Sequence, residues 1–81
     1  MATLYEIRGV TEAKTPCQCG TVPSASYVLV EIDQQFILDP ARGVVCQQTL
    51  LRSAYFCNNC ARVARIMIRD GQHEQAFSYA G

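Results

Sequence analysis

Apolar and polar residues alternate in two places in the first half of the chain. Thr3-Leu4-Tyr5-Glu6-Ile7-Arg8 predicts a strand, with Leu4 and Ile7 only partly in phase. Ser26 to Asp33 carries the clearest strand pattern. It is rich in β-branched and aromatic residues, and Val28, Val30 and Ile32 mark one face. Asp33-Gln34-Gln35 interrupts this run and Phe36-Ile37-Leu38 resumes it. A β-hairpin is therefore expected over Tyr27–Leu38, although the turn has no Asn-Gly or Asp-Gly pair. The period then changes to that of a helix, starting at Asn58 or Asn59 and running to Arg69, with Asp70-Gly71 as the stop signal. Cys60, Ala61, Val63, Ala64, Met67 and Ile68 fall on one side of this helix. Arg62, Arg65 and Arg69 fall within about 60° of one another on the other side, with Ile66 near their border.

The stretches between these elements are less regular. Gly9 to Pro16 reads as loop, and Pro23-Ser24 continues a second loop. Asp39-Pro40 is a good helix start, and Val45, Cys46, Leu50, Leu51, Ala54 and Tyr55 fit a helical period. Gly43 and the valine pair Val44-Val45 equally fit an extension of the sheet. A short helix or irregular turn is the expectation for residues 40–53, followed by an extended Ala54-Tyr55-Phe56. The tail, Gln72 to Gly81, is polar apart from Phe77 and Tyr79 and is expected to be loosely held. No repeat or linker interrupts the chain, so residues 1–81 read as one domain with its core in about residues 16–70.

Composition shows why such a domain needs help. With 81 residues it builds only a marginal core, yet 49% hydrophobic and 17% charged residues place it among globular chains. Five cysteines point to a staple, either disulfide or metal. The odd count suits a disulfide framework poorly. Met1 to Arg8 shows no basic region followed by an apolar run, which favours a reducing, cytoplasmic setting where thiols stay free. No apolar run approaches the ~20 residues that span a membrane.

Four of the cysteines come in two close pairs, each in a turn: Pro16-Cys17-Gln18-Cys19-Gly20 and Phe56-Cys57-Asn58-Asn59-Cys60. Two such pairs supply the four soft donors of a tetrahedral zinc site. In the second pair the two intervening asparagines tolerate turn conformations, and Cys60 enters the first turn of the helix, where the macrodipole favours thiolate. Cys17-Gln18-Cys19 is tighter by one residue. The expected metal is thus Zn²⁺ on Cys17, Cys19, Cys57 and Cys60. Cys46 is expected to be a buried free thiol and His73 a solvated surface histidine; either one replacing a ligand is the alternative.

The order of parts, a tight cysteine turn with Gly20, the Tyr27–Leu38 hairpin, then Cys57 and Cys60 entering a helix, resembles a treble-clef zinc finger. That resemblance implies an α+β fold: a small zinc-stabilised domain made of a β-hairpin and a C-terminal helix. It departs from the usual pattern in having one spacer residue between Cys17 and Cys19, which leaves open whether Cys46 accompanies or replaces one of them.

No Ser/His/Asp set, acid–base pair with a common pocket or phosphate loop is present, so no enzyme is expected. Four protein ligands would leave zinc no open position, which makes the site structural. Charge is unevenly spread although the net is zero. Residues 1–40 hold Glu6, Glu12, Glu31, Asp33 and Asp39 against Arg8 and Lys14, while residues 41–69 hold Arg42, Arg52, Arg62, Arg65 and Arg69 with no acid. Arg52, Arg62, Arg65 and Arg69 are therefore the candidate partner surface. Two functions compete. One is a protein-interaction module, with some of Tyr5, Tyr27, Tyr55, Phe56, Phe77 and Tyr79 as exposed anchors. A small stand-alone zinc domain resembles the proteins by which phages and mobile elements block larger host machines. The other is a nucleic-acid-binding regulator using the arginine face, against which the zero net charge counts.

Overall fold

The structure, a computed structural model, describes residues 2–11 and 14–81. The expected loop at Gly9–Pro16 thus falls partly outside the described residues, at Glu12 and Ala13. Strand β1 is Ala2–Gly9, β2 is Tyr27–Asp39, β3 is Gly43–Phe56, helix α1 is Asn58–Arg69 and helix α2 is His73–Ser78. Among the described residues the strands form one antiparallel sheet in the order β1-β2-β3. The α+β class holds, with a larger sheet than the sequence pattern suggests.

The hairpin is displaced from its expected position. Asp33-Gln34-Gln35 does not turn; β2 runs straight through it, and the turn is Pro40-Ala41-Arg42, closed by Asp39 opposite Gly43. The Asp39 carboxylate accepts hydrogen bonds from the backbone N–H of Ala41 (2.8 Å) and Arg42 (3.2 Å). An N-cap aspartate does the same at a helix start. Here Gly43, at φ +80°, turns the chain back into a strand instead. Residues 43–53, expected as helix or irregular turn, are accordingly part of β3.

Among the described residues, β1 pairs with β2 as far as Ala2 opposite Gln34. Beyond that point β2 and β3 continue together as a two-stranded arm, Gln35 opposite Gln47 to the turn. A register shift at Glu31/Ile32 leaves Leu51 as the extra residue on β3, a bulge of the kind that sharpens twist. The arm makes the molecule long and thin, 50 × 29 × 15 Å.

The core lies where both helices cross one face of the sheet. Leu29 and Phe56 are the largest fully buried side chains, and Ala54, Ala61, Ala64 and Ala76 are buried around them. Alanine at these positions lets the helices approach the sheet closely, so the core is tight but contains little apolar volume. Helix α1 buries Cys60, Ala61 and Ala64 and leaves Arg62, Arg65 and Arg69 exposed, as its periodicity predicts. The tail is better held than its composition suggests. Helix α2 seats Ala76 in the core, and His73, far from being a free surface residue, stacks on Tyr5 at 3.8 Å between ring centroids.

Candidate metal centre

Each half of the cysteine cluster is shaped by backbone bonds. In the first, Cys17 donates its N–H to the Val22 carbonyl (3.1 Å) and Gly20 donates to the Cys17 carbonyl (3.0 Å), closing a tight turn. Gly20 has φ +75°, a conformation that side chains other than glycine rarely take. Gln18 ties this turn to the body: its N–H donates to Tyr55 O, and its side-chain amide donates to the carbonyls of Phe77 and Tyr79. In the second half, Cys57 is the N-cap of α1, and its carbonyl accepts the first helical bond from Ala61 N–H at 2.9 Å. Cys60 then lies in the first turn of that helix.

The sulfurs of Cys17, Cys19, Cys57 and Cys60 all lie within 4.8 Å of one another and can together hold a metal ion. A tetrahedral zinc with Zn–S near 2.3 Å has S–S edges of about 3.8 Å, so slight contraction closes the cluster around the ion. The donor set fits zinc: four soft sulfurs, no carboxylate, and three of the four residues buried. Hydrogen bonds to the sulfurs also prepare thiolates. Cys19 N–H points at Cys17 Sγ, 3.5 Å away. The Thr21 backbone N–H, helped by its side chain, brings the Cys19 thiol down to about 6. The Cys60 N–H holds Cys57 below the ordinary thiol value. Cys60 goes the other way, pushed up by burial and then by the thiols around it. A cation at the centre removes the reason for Cys60 to keep its proton.

The other candidate residues are dispersed. Cys46, expected to be buried, is exposed on the arm and lies outside the cluster. His73 is likewise no ligand in this geometry, being stacked on Tyr5. Arg62, Arg65 and Arg69 share the outer face of α1, where Arg65 lies over the Tyr27 ring at 5.0 Å and Arg69 is 3.6 Å from Asp70. Arg52 is apart from them and occupied internally. It bonds Glu31 (3.1 Å) and both oxygens of Glu74 (2.6 and 3.1 Å), and lies 4.0 Å over the Phe77 ring. This clamp joins α2 to the sheet. Nothing in the sequence marked it beyond the opposite charges of residues far apart. Of the six aromatics named as possible anchors, Phe56 is wholly buried and the others are half-buried; the exposed one is Phe36, at 69%.

Fold and site together define a small α+β domain with a four-cysteine cluster. Compared with protein-family models, curated proteins and solved structures, the chain returned no match, so its function is read from its own geometry. No helix among the described residues is long and apolar enough to cross a membrane.

Proposed function

We propose that this chain is a structural-zinc module that acts by binding another protein in the cytoplasm, as a regulator or inhibitor of a larger assembly. The observation that carries the zinc reading is the convergence of four thiols from two turns 40 residues of sequence apart, Cys17 with Cys57, on one point. Four sulfurs complete the coordination of zinc and leave no place for a substrate or an activated water, which supports a structural and non-catalytic role. The order of cysteine turn, β2–β3 hairpin and helix entered through Cys57 and Cys60 supports a treble-clef assignment. In this arrangement the metal fixes α1 against the sheet and so presents the exposed Arg62, Arg65 and Arg69.

A zero net charge favours a protein partner over a nucleic acid, because phosphate binding draws on a general excess of positive charge. The three-arginine face keeps nucleic-acid binding as the second reading. Elemental analysis with thiol counting tests the metal. One zinc per chain is expected, with Cys46 reacting at once and four thiols only after a chelator is added. Absence of stoichiometric zinc, or a fold indifferent to chelator, overturns the reading. For the partner, co-purification with the zinc-loaded chain is compared with its Arg62→Ala, Arg65→Ala, Arg69→Ala triple variant. Loss of a protein partner supports the first reading. Nucleic-acid binding that weakens steeply with salt supports the second.

A further inference from the structure

Both helices pack against one face of the sheet, and among the described residues neither reaches the other. Alternation along the strands puts Val30, Ile32, Phe36 and Leu38 of β2 on this open face, with Leu50 opposite Ile32 and Val44 opposite Leu38 on β3. The face has two parts. Near the body, Val30 and Ile32 are only 5% and 4% exposed and floor a shallow groove of about 220 Å³ walled by Arg8, Gln48 and Leu50. Out on the arm the side chains stand in water: Phe36 is 69% exposed, Leu38 80% and Val44 70%. An isolated two-stranded ribbon is marginal in water, so the arm lacks the third layer that such a structure ordinarily requires.

We infer that this open face is where two copies of the chain meet, packed face to face about a two-fold axis that crosses β2 at Asp33. Residue numbers related by that axis pair 36 with 30, 34 with 32 and 38 with 28, all on the same side of the sheet. Phe36 of each copy then lies over Val30 and into the groove of the other. The groove and the protruding ring sit on one face, about 20 Å apart along one strand, so the surface is complementary to itself. On this face the charged groups are Glu6, opposite Val30, and Arg8, opposite Val28, which neutralise each other in an ion pair at 2.7 Å on the β1 margin of the groove; Gln34 and Gln48 meet near the axis.

The area agrees. Phe36, Leu38, Val44 and Leu50 leave on the order of 500 Å² of apolar surface in water, in the upper part of the range of the largest, often functional, patch on a single chain. Two such faces bury about 1,000 Å² together, the threshold of a specific interface, before the flanking polar residues are counted. Pairing through the free edge of β3 alone would leave Phe36 and Leu38 in water, which is why the face and not the edge is chosen. The arrangement does not depend on the partner proposed above, since the arginines of α1 lie on the opposite side of the molecule.

Sedimentation velocity on the full zinc-loaded chain, across micromolar to hundred-micromolar concentrations, tests it. A species of twice the 9.0 kDa chain mass is expected, dissociating on dilution. Phe36→Ser with Leu38→Ser should give a monomer that still binds zinc. In a sample mixing labelled and unlabelled wild-type chains, nuclear Overhauser contacts from the Phe36 ring to Val30 and Ile32 methyls are expected between chains. This last measurement decides the matter even where the double variant folds poorly. A wild-type monomer at every concentration overturns the inference. So does a dimer untouched by the double substitution, or one without those inter-chain contacts.

Discussion

Cys60 and Cys46 are the same residue placed in two different physical situations. Cys60 is buried in the body, 5% exposed, with three other sulfurs around it and the helix start beneath it. Cys46 is exposed on the arm, opposite Phe36 and outside the group of four sulfurs. The two regions differ in the same way throughout. The body combines a metal clasp, a thin apolar core and the Arg52–Glu31–Glu74 clamp. The arm has little beyond its strand pairing and the Asp39 turn. A chain this short concentrates its stabilising interactions at one end, and the other end is left with its strand pairing and turn.

The largest expected effect breaks the clasp. Cys60→Ser removes one of four ligands, and metal binding in small zinc modules supplies about 10 kcal/mol or more of folding free energy. The core of Leu29 and Phe56 with small alanines is too slight to replace that. We expect the variant to be unfolded, or to fold only in large zinc excess, by circular dichroism and zinc titration. Cys46→Ser should change stability by less than about 0.5 kcal/mol, as for other exposed positions. Equal effects from the two cysteines would erase the distinction between the regions.

Next in size is the same contrast between two phenylalanines. Phe56 is fully buried between the sheet and both helices, and Phe56→Ala should cost about 3–5 kcal/mol through lost transfer and an unfilled cavity. Phe36→Ala, measured by urea midpoint in saturating zinc at a concentration where the chain is monomeric, should cost no more than about 0.5 kcal/mol. At higher concentration the Phe36 variant should lose the concentration dependence of the wild-type midpoint, since dimerisation stabilises by mass action.

How far the sequence could be read follows the same division. Within the body, α1, the first half of β2 and the cysteine pairs were legible because they are half-buried or regularly spaced. Helix α2 and the Arg52 clamp were not, since a six-residue helix with one buried alanine leaves no period to read. Helix α1 shows a 3.6-residue period because one side meets the core, and the paired cysteines announce a metal site by spacing alone. The arm was not legible. Both of its faces meet water in a single chain, so Val44-Val45-Cys46 need not alternate, and with Leu50 and the bulged Leu51 just beyond the arm their spacing mimicked a helix. Asp39-Pro40 then misled for a physical reason, since an aspartate satisfying the next two or three N–H groups opens a turn and a helix alike. Gly43 was the informative residue, because a positive φ three residues after Pro40 ends the turn instead of extending it. The Gln34-Gln35 pair looked like an interruption only because polar side chains in mid-strand were unexpected. They lie where the third strand of the sheet ends.

The smallest effect concerns the joint between β1 and α2. Tyr5 stacks on His73, lies 6.2 Å from the Phe77 ring, and stands directly opposite Glu31 of β2. Hydrogen bonding of the phenol to the Glu31 carboxylate, with burial and the Glu31 charge adding to it, raises Tyr5 above the usual tyrosine value of 10.0. The folded chain therefore holds this proton more tightly than the unfolded one. Its contribution to stability is fully present below the ordinary tyrosine value and is lost as pH rises through the raised one. All four tyrosines, Tyr5, Tyr27, Tyr55 and Tyr79, belong to the body, so phenolate absorbance followed through alkaline titration reports on that region alone. Tyr5→Phe should remove a component that titrates above the ordinary tyrosine value and leave zinc content and the Phe36-dependent association unchanged. A curve above the ordinary tyrosine value that the substitution leaves unchanged would mean that Glu31 does not hold Tyr5. The clamp on α2 would then rest on Arg52 and Glu74 without it.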